Sequence, residues 1–400
     1  MRQKINIFAV LISLSGFTSI FAYLFNIYLA RYIGLELHGE YTYVMFYATI
    51  AGAIVNWGTT ELSVRLLAQR VGAFRVIILI RAIFLGLISA GAIVYSIVSG
   101  DYFFFLVLMG VLTGLGFPGA FENVGKTTLF TKIYLAQRLV YFLGSGIYIG
   151  LSNEPDLYIV FMILLSVDIL SLALQFCLLR KDLFDIEGSP GSITQIMREG
   201  LNIMIYSLSK YSFNGSIRFL IPIYGSMSML SLFSLTWQYV VIASIIFSQS
   251  ARVFRSELNQ SKTENRDLGS SAIQYAGLIA IITIIIVTVV STVGDNILIF
   301  ALGVTDNDID ISMFMDLVCA YIIVAAIDSF VNTMMIVHRF EHFAKKIYMS
   351  AAGSIVLSAY FFESLFGSIL QFIWFVIFIH GITLFILMLK IQSSSRYHEA

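Results

Sequence analysis

Long apolar runs, separated by short polar connections, set the pattern of this chain. Twelve of them reach spanning length, at about 6–30, 41–60, 76–98, 102–121, 133–152, 157–179, 201–224, 228–250, 271–292, 312–336, 347–365 and 368–390. A bilayer core of about 30 Å is crossed by about 20 residues of helix, so each run suffices for one crossing. A transmembrane β-barrel would instead show segments of about ten residues with alternating polarity. The pattern predicts an all-α integral membrane protein of about twelve transmembrane helices. The first run follows Met1-Arg2-Gln3-Lys4 as in a signal peptide. It is too long for one, and no small-x-small cleavage site follows it cleanly, so it reads as a retained first span.

The connections carry the next level of order. The stretch 293–311 opens on an apolar piece too short to span, which is expected to dip into the interface. The stretch 180–200 is broken by Gly188, Ser189, Pro190 and Gly191. A short amphipathic piece then leads into the seventh run, with Ile193, Ile196 and Met197 opposed to Gln195 and Arg198. Six runs precede this break and six follow. The expected organisation is an N-terminal six-helix bundle at 1–180, a cytoplasmic linker at 181–200 and a C-terminal six-helix bundle at 201–400, as two related halves. The best internal echo is Phe25-Asn26 against Phe213-Asn214.

Composition agrees with this reading. Of 400 residues 58% are hydrophobic and 12% charged, where soluble domains carry about 25% charged residues. The formal net charge is zero, so nothing electrostatic favours nucleic acid. Cys177 and Cys319 lie inside apolar runs and read as small hydrophobes. Basic residues fall on alternate connections: Arg65, Arg70, Arg75 and Arg81 on one, Lys126, Lys132 and Arg138 on the next, and so on to Lys345 and Lys346. By the positive-inside rule these connections face the cytoplasm, and both termini with them. The opposite connections are acidic, as at Glu36, Glu40, Glu154 and Asp156, with Arg31 their basic exception.

Two cations remain inside a span. In the seventh run Lys210, Asn214 and Arg218 stand four residues apart, one polar stripe on one side of a helix. A Lys or Arg at mid-bilayer costs about 2.5–3.5 kcal/mol on insertion scales, so two on one face call for a ligand or a partner. An anionic ligand in a water-filled cavity satisfies both. Two alternatives stand beside it: Arg218, about two turns from the helix end, reaches the surface by snorkelling, or Lys210 pairs with Asp168, Asp316 or Asp328 in another span. Asp328 is also placed to carry a coupling proton or sodium ion, or to bond Asn332 one turn on. Glu61, Arg65 and Glu122 sit at inward helix ends, where a gate would open. Glu122 with Lys126 has the spacing of a solvated surface pair. No resident cofactor or metal is expected. His338 and His342 have ligand spacing but lie among Arg339, Lys345 and Lys346. The phosphate-loop likeness at 119–128 has one spacer residue too many and no preceding strand.

The stretch LARYIGLELHGEYTY, 29–43, resembles a signature of the polysaccharide-transport branch of the multidrug/oligosaccharidyl-lipid/polysaccharide (MOP) exporter superfamily, with Arg31, Gly34, Gly39 and Tyr41 matching in spacing. NWGTTELSVRLLAQ at 56–69 looks like that family's loop after helix two, and LIFALGVTDND like its segment before helix ten. Within the branch the chain is most similar to the O-antigen flippases. The resemblance implies flipping of an undecaprenyl-diphosphate-linked oligosaccharide across the bacterial inner membrane by alternating access, for surface polysaccharide synthesis. It implies a transporter and not an enzyme, working beside other polysaccharide assembly proteins.

On this reading Lys210 and Arg218 take the diphosphate or an acidic sugar, and Asn214 and Asn26 hydrogen-bond sugar or phosphate. Asp168 and Asp328 are the candidates for proton or sodium coupling. Lipid II flippases of the superfamily typically have fourteen helices and charges in helix one. This chain shows twelve runs, and the body of the first offers Ser13, Ser15, Thr18 and Asn26. A cation-coupled multidrug exporter of the same superfamily is the alternative; a membrane O-antigen polymerase fits less well, for want of a large outward loop.

Overall fold

In a computed structural model the described residues are 2–60, 62–63, 73–100, 103–112, 115–183, 193–263, 268–303, 311–338 and 340–396. All regular structure among them is helical. The helices are α1 (Arg2–Ile33), α2 (Leu35–Asn56), α3 (Ala73–Ser99), α4 (Phe103–Val111), α5 (Pro118–Asn123), α6 (Thr127–Leu151), α7 (Leu157–Leu183), α8 (Ile193–Tyr224), α9 (Met227–Thr263), α10 (Leu268–Leu302), α11 (Ser312–His338), α12 (Glu341–Tyr360), α13 (Phe362–Leu365) and α14 (Ile369–Arg396).

In their described parts the twelve apolar runs are largely helical, and three are interrupted, the second by the turn at Trp57 and Gly58. The fourth run becomes α4 and α5, the latter opened by Pro118 in its first turn, where a missing N–H costs nothing. The eleventh becomes α12 and the single turn α13. Among the described residues six helices are long and apolar enough to cross a membrane by length and composition: Phe74–Ser99, Leu157–Arg180, Met227–Ser248, Ser270–Leu302, Phe314–His338 and Ile369–Ser393. Of the remaining helices α8 carries Lys210 and Arg218 inside its length, and α4, α5, α12 and α13 are the divided ones.

Two expectations change. The apolar piece after Gly294 is not a separate element; it forms the last turns of α10, which runs unbroken to Leu302. At Gly294 α11 lies close: a Cβ would fall 2.3 Å from Met315 Cε, the movable end of that side chain. Likewise the amphipathic piece at 193–200 is continuous with the seventh span, giving a helix of 32 residues. Its Ile196 is fully buried among Leu62, Phe74, Phe121 and Leu179.

The chain divides into two compact units, Met1–Phe25 with Tyr32–Tyr211, and Asn26–Arg31 with Ser212–Ala400. The division falls inside α8; of the connection at 181–200, residues 184–192 lie outside those described. In the first unit α2 packs on α3 and α4, and α7 on α4 and α6. In the second, α9 packs on α10 and α11, and α14 on α11 and α12. There α9 is the most enclosed span, burying Phe233, Trp237 and Phe247, while α10 exposes Ile273, Ile281 and Ile284 along its length, the surface a lipid-facing helix requires. Arg31 belongs to the second unit, where its guanidinium donates to the Ala301 carbonyl at 3.4 Å.

Candidate functional site

The first unit holds a buried polar chain that begins at the end of α2. Trp57 caps that helix in the left-handed region (φ 47°), and its N–H reaches back to Ala53 and Ile54. Gly58 follows at φ 66°. The turn presses on the first part of α8: the Trp57 indole N–H donates to the Met197 carbonyl at 2.9 Å. A Cβ on Gly200 would lie 2.4 Å from the Trp57 oxygen, and one on Gly58 2.5 Å from the Gly200 oxygen, so both positions require glycine.

Arg81 of α3 is 6% exposed and ties this turn to the break between α4 and α5. Its Nε donates to Thr59 Oγ1 and its Nη2 to Thr60 Oγ1, at 2.8 and 2.9 Å. Its Nη1 reaches the carbonyls of Leu115 and Gly116, both at 3.1 Å. The guanidinium also lies 5.1 Å from the Phe117 ring centroid. Sequence reading grouped Arg81 with the inward surface charges; the planar fork instead satisfies backbone groups that a broken helix leaves without partners.

From the same break a ladder climbs α7. The Phe117 N–H donates to Gln175 Oε1 at 3.0 Å, Gln175 Nε2 to Ser171 Oγ at 3.2 Å, and Ser171 Oγ to Gln137 Oε1 at 3.0 Å. Gln137 Nε2 then donates to Asp168 Oδ1. Asp168 is 1% exposed, and its Oδ2 has no hydrogen-bond partner. The spacing 168, 171, 175 puts these polar groups on one face of α7, a signal present in the sequence beside Asp168.

The second unit holds a cavity of about 460 Å³ bounded by α8, α9, α11 and α14. Asn214 and Asp328 both line it, with Trp237, Ser244, Tyr321 and His380. Asp328 Oδ1 accepts the Tyr348 hydroxyl proton from α12. It stands 3.7 Å from His380 Nε2. Phe213 packs against the His380 ring at 4.4 Å between centroids. Tyr348, His380 and Trp237 escaped the sequence reading: each is a single residue in a different span, and only the tertiary fold gathers them around Asp328.

The remaining expected residues are distributed as follows. Lys210 is half-buried in the first unit, its Nζ 5.6 Å from the Tyr206 ring centroid, within cation–π range. Arg218 is half-buried in the second unit, and its Nε is enclosed with no acceptor among the described residues. Asn26 is half-buried on α1. Asn214 Oδ1 is enclosed and unpartnered at the cavity. Glu122 is exposed at the end of α5, and Lys126 precedes α6, so their spacing does not lie on one helix. Glu61 and Arg65 lie outside the described residues.

No protein-family model matches the chain, and no curated protein sequence matches it. Solved structures do. One is a MOP superfamily transporter from Pyrococcus furiosus, described by the reversed polarity of its binding pocket: 13% identical, TM-score 0.67, covering 96% of this chain and 93% of that one. Another is the lipid II flippase MurJ in an inward closed conformation, 12% identical with TM-score 0.64, covering 97% and 87%. A third is the MATE multidrug transporter DinF-BH, 14% identical with TM-score 0.62, covering 98% and 95%. This chain therefore has the multi-pass membrane fold of the MOP superfamily transporters.

Proposed function

We propose that this chain flips an undecaprenyl-diphosphate-linked oligosaccharide, an O-antigen repeat unit, across the bacterial inner membrane by alternating access. The observation that carries the reading is Arg218. Its guanidinium sits in a helix of spanning length with Nε enclosed and no acceptor among the described residues. A cation held there is stabilised by an anion that arrives with the substrate, and the diphosphate supplies one. Lys210 is the second phosphate ligand, and Asn214 and Asn26 bond phosphate or sugar. The fold shared with a lipid II flippase supports a lipid-linked substrate. Asp168, with one carboxylate oxygen unanswered, and Asp328 are the candidates for proton or sodium coupling.

The second reading is a cation-coupled multidrug exporter. The Asp328, His380 and Tyr348 cluster favours it, since a half-buried carboxylate inside an apolar helix is a candidate carrier for a proton or cation. Reconstitution separates the two. Proteoliposomes loaded with a fluorescent undecaprenyl-diphosphate oligosaccharide are expected to expose it to an external lectin, and Arg218→Ala to slow this about tenfold. Gradient-driven transport of a cationic dye without lipid flipping would establish the second reading instead.

A further inference from the structure

The cavity in the second unit is lined for a polar, uncharged ring. Several of its enclosed polar atoms have no hydrogen-bond partner among the described residues: the Tyr321 hydroxyl, Asn214 Oδ1 and His380 Nδ1, while His380 Nε2 stands 3.7 Å from Asp328. Tyr321 is 5% and His380 9% exposed, so these groups are already withdrawn from bulk solvent. Together they offer what a sugar ring asks for. Asn214 Oδ1 accepts, the His380 ring offers Nδ1, and the Tyr321 hydroxyl donates or accepts. Trp237, 4.4 Å from Tyr321 at 69°, adds aromatic surface of the kind on which the C–H face of a sugar packs.

Charge argues in the same direction. Asp328 lines the cavity, and no Lys or Arg does among the described residues, so the lining offers no cation to pair with a phosphate. The volume, about 460 Å³, falls in the small-ligand range.

The geometry points to a subsite for a neutral sugar ring at this cavity, held by Asn214, Tyr321 and His380 against Trp237. Its biological role rests on the flippase reading: the cations of α8 take the diphosphate, and this cavity reads the sugar.

The test uses the full chain in lipid nanodiscs, with methyl glycosides of glucose, galactose, N-acetylglucosamine and rhamnose as probes and inorganic pyrophosphate as control. Saturation-transfer NMR reads binding, and thermal unfolding checks that each variant is folded. At least one glycoside gives a signal. Tyr321→Phe and Asn214→Ala each weaken it about tenfold, while Ile273→Ala, on the exposed face of α10, leaves it unchanged. Trp237→Phe, which keeps an aromatic ring, weakens it less than Trp237→Leu. No glycoside signal from folded wild type, or one untouched by Tyr321→Phe, overturns the subsite. Flipping is measured on the same preparations. Flipping without glycoside binding overturns the subsite alone; glycoside binding without flipping overturns the flippase reading and leaves the subsite standing.

Discussion

Arg81 Nε donates to Thr59 Oγ1 at 2.8 Å, joining the middle of the first unit to the turn after α2. With Leu115, Gly116 and Thr60 also served, one guanidinium closes the polar groups of two chain breaks. Arg81→Ala strands several of them at once, at about 1–3 kcal/mol for each group left buried and unsatisfied. The expected result is a sharp loss of folded protein by size-exclusion chromatography and a lowered unfolding temperature. Arg81→Lys rescues little, because an ammonium cannot span the fork.

The contact of Gly200 with Trp57 makes a second prediction. A methyl group at Gly200 meets the Trp57 carbonyl at 2.4 Å, and backbone cannot swing aside as a side chain does. Gly200→Ala is expected to destabilise the first unit by about 1–3 kcal/mol. Gly58→Ala adds the left-handed penalty of about 1–2 kcal/mol at φ 66°. Gly91→Ala, inside α3 with nothing within 4 Å, is the control and does not lower the unfolding temperature.

Asp168 and Asp328 are separable by chemistry. Asp168→Asn keeps an oxygen for the Gln137 amide, so folding survives, whereas Asp168→Leu leaves that amide unanswered and costs about 1–3 kcal/mol. If Asp168 carries the coupling ion, Asp168→Asn abolishes the dependence of flipping on a proton or sodium gradient. Asp328→Asn does the same if Asp328 carries it. Flipping rates measured with and without each gradient assign the role; a gradient response intact in both variants removes both residues from coupling.

The helical run pattern made the architecture legible before any coordinates: twelve apolar runs, largely helical in their described parts. Connections were harder. Apolar residues after Gly294 looked like a separate short piece, because a glycine and an acid interrupt the run; the helix continues through both. That Lys210, Asn214 and Arg218 share one helix was legible from spacing, and the helix is α8. The ladder on α7 was half legible, since Asp168, Ser171 and Gln175 share a face but Gln137 comes from another helix. The cluster around Asp328 was not, because His380 lies 52 positions away in sequence and nothing local marks it. Arg81 was misjudged for a physical reason: charge counting cannot distinguish a solvated arginine from one consumed by broken helix ends.

The central claim, an anion-binding stripe on α8, is tested most directly by complementation. The gene is deleted in its host, loss of surface polysaccharide is established, and wild type, Arg218→Ala, Lys210→Ala and Lys210→Arg are returned, with membrane levels of each compared. The account predicts that Arg218→Ala and Lys210→Ala reach the membrane and restore little polysaccharide, while Lys210→Arg restores most of it. Full restoration by both alanine variants would contradict the account, because the two cations would then be dispensable to transport.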